Sequence, residues 1–102
     1  MDGEALWEKI LKELSGGGTE VQTKRGLWFR ASTRDQRVRV DNAAGRLPST
    51  RMTQPRTILK KDFLEVFPYY PRWLANEKGI AQIVNENSHN SAYILALIKR
   101  FR

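Results

Sequence analysis

Cysteine is absent from this chain of 102 residues. That excludes disulfide frameworks and thiolate metal sites, and it suits a reducing compartment. Long apolar runs are absent too. The longest covers residues 92–98, far short of the length needed to span a bilayer, so no membrane association is expected. The start, Met1-Asp2-Gly3-Glu4, is acidic and lacks the basic and apolar segments of a signal peptide. Cytoplasm is the expected location. His89 is the single histidine, without the paired carboxylates or metal-ligand spacing that hydrolytic sites need. No enzyme, cofactor or metal is expected.

Acidic residues are scarce in one stretch, and what fills it is the most telling feature. Residues 24–61 hold eleven Lys and Arg against only Asp35 and Asp41, a local net charge of +9. Residues 1–23 carry −3 and residues 62–102 carry +1, which together make the overall +7. Positive charge concentrated in this way is the footprint of a phosphate-rich partner. The hydrophobic content of 40% and the ten aromatics argue that the charge sits on a folded domain and not on a disordered tail. At this length one domain, residues 1–102, is the default.

Hydrophobic periodicity places the elements. Leu6, Trp7, Ile10, Leu11 and Leu14 form one stripe of a helix over residues 4–15, stopped by Gly16-Gly17-Gly18. The triple glycine lacks the Lys-Ser/Thr and following helix of a phosphate cradle and reads as a hinge. Three strands follow at 19–24, 27–32 and 37–41. Alternation puts Leu27, Phe29, Ala31, Val38 and Val40 on the core face, and Trp28, Arg30, Arg37 and Arg39 on the other. Thr33-Arg34-Asp35-Gln36 reads as a four-residue hairpin loop.

Residues 42–56 carry Gly45, Pro48, Pro55 and three arginines and read as a long loop, functional or mobile. A helix is expected over 59–67, with Leu59, Phe63, Val66 and Phe67 on one face and Pro68 ending it. Tyr69, Tyr70 and Trp73 read as packing at a helix junction, and Ile80, Ile83 and Val84 suggest a short helix. The polar run 85–91 reads as capping for a last helix over 91–101. Its buried stripe would be Tyr93, Ile94, Leu97, Ile98 and Phe101, leaving Leu95 outward.

The expected architecture is therefore α+β: an N-terminal helix packed on a three-stranded antiparallel meander, then a C-terminal segment of about three helices. The expected function is non-enzymatic nucleic-acid binding, DNA ahead of RNA. Lys24, Arg25, Arg30, Arg34, Arg37 and Arg39 are the phosphate anchors, Trp28 is the stacking residue, and Arg46, Arg51 and Arg56 lie in a loop that orders on contact. The alternative is a module that binds an acidic protein partner, or self-associates as a homodimer through Trp28 and the first helix. Small basic chains of this kind also suit mobile elements and phage-like regulators, by association alone.

Overall fold

The computed structural model describes residues 2–102, apart from the side chain of Asn87. Met1 at the acidic start and the Asn87 side chain in the polar run lie outside the described residues. The fold is α+β. Helix α1 spans Gly3–Leu14, and the strands are β1 (Thr19–Gln22), β2 (Trp28–Arg34), β3 (Arg37–Asn42) and β4 (Arg56–Ile58). The helices α2 (Lys60–Val66), α3 (Tyr70–Leu74), α4 (Ile80–Asn87) and α5 (Ser91–Phe101) complete it, with a 3₁₀ turn at Phe67–Tyr69.

Helix α1 starts where Asp2 can cap it, the Asp2 Oδ1 accepting from the Ala5 N–H at 2.7 Å. Its buried stripe is Leu6, Trp7, Ile10 and Leu14. Trp7 meets Phe63 of α2 with ring centroids 5.2 Å apart. Gly3 is packed so closely against α2 and the 3₁₀ turn that a Cβ there would stand 3.0 Å from Leu64 and 3.1 Å from Phe67.

The sheet is antiparallel in the order β1-β2-β3-β4, four strands where three were expected. The fourth lies in what reads as the end of a loop and the start of a helix. Val38 of β3 pairs with Ile58, and Ile58 is completely buried, so the chain stays extended through Thr57. Leu59, expected in the core, instead sits at the N-cap of α2 and is 41% exposed. The hairpin is also tighter than expected. Arg34 pairs directly with Arg37, leaving Asp35 and Gln36 as a two-residue turn with φ of 54° and 61°. Positive φ at both positions is the type I′ geometry that matches strand twist.

One face of the sheet is the core. Val21, Phe29, Ala31, Val38, Val40 and Ile58 lie on it, all but removed from solvent, with α1 packed against β2 and α5 against β1. Full burial of a Val, Ile or Phe side chain is worth about 1.5–3 kcal/mol, so this face dominates the sheet's stability. Helix α5 is the centre of the helical layer. It touches α1, α2, α4 and β1, and Leu95 and Ala96 are buried along with Ile94, Leu97 and Ile98. The outward position expected for Leu95 is thus occupied by neighbouring elements. Ser91 does not cap α5: its hydroxyl donates to Asn85 Oδ1 at 2.5 Å, while Ser88 Oγ accepts from the Asn90 N–H.

Candidate functional site

The other face of the sheet is where the predicted arginines can be placed. Strand alternation sets Trp28, Arg30, Ser32 and Arg34 of β2 beside Arg37, Arg39 and Asp41 of β3, with Glu20 and Gln22 of β1 at one edge. Arg30, Arg34, Arg37 and Arg39 are exposed and Trp28 is half-buried. The antiparallel register then decides which charges meet. Arg30 stands opposite Glu20 on one side and Asp41 on the other. Arg39 stands opposite Ser32 and Thr57 and approaches Asp41 at 3.9 Å. Arg34 faces Arg37 across the hairpin and lies 3.9 Å from Asp35.

The face is therefore a mixed array and not a row of like charges. Pairs this exposed contribute little to stability, about 0–1 kcal/mol each, but they set the local potential. The guanidinium of Arg30 also lies across Gly18, where an added Cβ would come within 2.5 Å of it. The last glycine of the triplet thus makes room for an arginine.

Residues 42–56 are tied to the sheet at three places. Trp28 N–H donates to Pro48 O at 2.8 Å, and Thr50 N–H donates to Trp28 O at 2.9 Å, which extends the strand pairing into the segment. Asn42 is the second tie. Its Oδ1 accepts from Met52 N–H at 2.8 Å and from Thr50 Oγ1 at 2.9 Å, while its Nδ2 donates to Met52 O at 2.9 Å. The third is Glu20, whose Oε2 accepts from the Ala44 and Gly45 N–H groups at 2.8 and 3.0 Å. The Gly45 amide first, then the Ala44 amide and the Arg46 and Arg30 charges, hold the Glu20 carboxyl below its ordinary value of 4.5, against a smaller opposing effect of burial. Arg46 is thereby brought over the Trp28 ring, 4.6 Å from its centroid.

Other predicted anchors go elsewhere. Arg51 is exposed on the tied segment. Lys24, Arg25 and Arg56 leave the sheet face altogether and line a cleft of about 550 Å³ between the β1–β2 turn and helices α3, α4 and α5. Arg56 pairs with Val40, on the helix side of the sheet. Its Nη1 donates to His89 O at 3.2 Å, and its guanidinium lies 5.7 Å from the Tyr93 ring centre. Lys24 Nζ donates to Asn76 Oδ1 and stands 5.0 Å over Trp73.

The ten anchors thus divide. Trp28, Arg30, Arg34, Arg37, Arg39 and Arg46 share the open sheet face, Lys24, Arg25 and Arg56 share the cleft, and Arg51 belongs to neither group. Sequence reasoning did not identify Glu20 and Asp41 as partners of the arginines, since only register brings them together. Nor did it place Trp73 and Tyr93 beside cations, although Tyr70 and Trp73 do pack on each other at 5.7 Å as a helix junction requires. Among the described residues, no group of three or more His, Cys, Asp or Glu stands close enough together to hold a metal ion. No helix among them is long and apolar enough to cross a membrane. Compared with known proteins, the chain matches no family model, no curated protein and no solved structure.

Proposed function

We propose that this chain is a small non-enzymatic nucleic-acid-binding protein, DNA ahead of RNA, that sets phosphates against the open face of the sheet. The observation that carries the reading is the exposed set Arg30, Arg34, Arg37 and Arg39 on one side of a four-stranded sheet, with Arg46 stacked on Trp28 at its end. Guanidinium groups offer paired donors to phosphate oxygens, and a half-buried indole offers an edge or face to a base. On β3 the period of two sets Arg37 and Arg39 about 7 Å apart, while Arg30 and Arg34 on β2 stand twice as far apart with Ser32 between them.

A second reading has its own support. Glu20, Asp35 and Asp41 lie among the arginines, and such a mixed pattern also suits a protein partner with complementary charges. A homodimer docked through Trp28 is one form of it. Binding to duplex and single-stranded DNA over a range of salt separates the readings. Phosphate contacts demand a steep fall of log K with log salt. A flat slope, or no binding at low salt, ends the nucleic-acid reading and leaves the protein partner.

A further inference from the structure

The cleft that collects Lys24, Arg25 and Arg56 differs from the sheet face in one respect: among the described residues, its cations have no carboxylate of their own. Glu77 is the single acidic residue among the described residues on its walls, and that carboxylate is occupied by Arg72, with Nε at 2.6 Å from Oε2 and Nη2 at 3.0 Å from Oε1. The Arg72 hydrogen bond foremost, together with its charge, holds the Glu77 carboxyl below its ordinary range. The partners of Lys24 and Arg56 are neutral instead. Lys24 has the Asn76 carboxamide and the Trp73 ring, and Arg56 has the His89 carbonyl and the Tyr93 ring. A guanidinium carries five N–H donors, and one hydrogen bond to a carbonyl leaves most of Arg56 free to bind.

Beside the cations the cleft is lined by flat and apolar groups. Leu27 is 36% exposed there, and Trp73 and Tyr93 are half-buried. Asn85, whose Oδ1 accepts from Ser91, keeps its NH₂ group for a polar edge. The volume of about 550 Å³ falls within the range of small-molecule sites. A bare anion would use the cations and leave the rings unused, and an apolar ligand would do the reverse.

We propose that this cleft binds a nucleotide, its phosphate on Arg25 and Arg56 and its base against the Leu27, Trp73 and Tyr93 wall. Lys24 adds charge from behind, and Asn85 donates to the base edge. The site takes either a free mononucleotide or one nucleotide unit of a strand, since both present the same phosphate and ring. It does not depend on the sheet face binding nucleic acid.

The test is a ¹⁵N NMR titration of the full chain with four probes: AMP, ribose 5-phosphate, adenosine and oligothymidylate. AMP is expected to shift the Trp73 indole and the Arg25 and Ala92 amides while leaving the Arg37 and Arg39 amides in place. It should bind at least about tenfold more tightly than ribose 5-phosphate or adenosine, because each lacks one of the two contacts. Arg25→Ala and Arg56→Ala, both at exposed positions, should each weaken AMP by about tenfold, whereas Arg37→Ala should not. Movement of the cleft signals by oligothymidylate alone assigns the site to a strand unit. Cleft signals unmoved by either AMP or oligothymidylate overturn the assignment. So does ribose 5-phosphate binding as tightly as AMP, or AMP affinity indifferent to both arginine substitutions. Sheet-face signals unmoved by oligothymidylate, with a cleft response present, would remove the sheet-face reading and keep the nucleotide site.

Discussion

The sheet face and the cleft draw on the same run of basic residues and treat it in opposite ways. On the sheet, five arginines are interleaved with Glu20, Asp35 and Asp41, so alternate positions cancel much of the charge. In the cleft, Lys24 and Arg56 rest on rings, a carboxamide and a backbone carbonyl, Arg25 stands exposed beside them, and the one carboxylate on the described walls is already paired. Basic residues packed against neutral partners stay in place without losing their charge. A charge count along the chain is therefore a poor guide to where uncompensated potential lies. Register and packing decide it.

Phe29 joins the two regions, and removing it should break both. It is fully buried on the core side of β2 and meets Tyr93, a cleft residue, edge-on at 5.1 Å. Phe29→Ala is expected to cost about 3–5 kcal/mol, measured by chemical denaturation. A loss near 1 kcal/mol would mean that the sheet and the cleft do not share this core.

The next effect sharpens the sheet side alone. Asn42→Ala removes three hydrogen bonds that pin residues 50–52 and should cost about 1–3 kcal/mol. Arg46 and Arg51 should become quick tryptic sites, while the cleft signals stay where they are. Unchanged proteolysis would show that the Trp28 and Glu20 ties suffice.

A smaller and opposite effect is expected at the hairpin. Asp35 and Gln36 both hold positive φ, which costs a residue with a Cβ about 1 kcal/mol. Gln36→Gly should therefore stabilise the chain by several tenths to about 1 kcal/mol, read as a raised midpoint of thermal unfolding. Destabilisation would argue against a type I′ turn.

The smallest effect is electrostatic. The Glu20 carboxyl is held low in the folded chain, so its contribution is fully present above the ordinary value of 4.5 and is lost as pH falls through the folded value. The stability gap between wild type and Glu20→Gln should be largest at neutral pH and close in acid. A gap independent of pH would remove the carboxylate from the account of how residues 42–56 are held.

Much of this was legible in the amino-acid order. Helix α1, the alternation of β2 and β3 and the span of α5 follow from strong periodicity, because each buries one clear apolar set. Strand β4 was not, since Arg56-Thr57-Ile58 is too short to show a period and forms only because Val38 offers it an edge. The two-residue turn was hidden because Asp35-Gln36 lacks the glycine that usually announces it. Leu95 was misplaced because a single-stripe reading assumes that a helix has a solvent side, and α5 has neighbours on several sides. At the site, the face shared by Trp28, Arg30, Arg37 and Arg39 follows from a period of two. The pairing of Arg30 with Glu20 and Asp41 does not, nor does the meeting of Lys24 with Asn76, because these depend on strand register and helix packing.

If nucleic acid binds as proposed, the arginines of the open sheet face hold phosphate. The most direct measurement of this is the salt dependence of DNA binding for wild type beside Arg37→Ala/Arg39→Ala, followed by fluorescence anisotropy. Wild type should show a steep negative log–log slope, made shallower by about one for each arginine that contacts a phosphate. A slope that the double substitution leaves unchanged would contradict it.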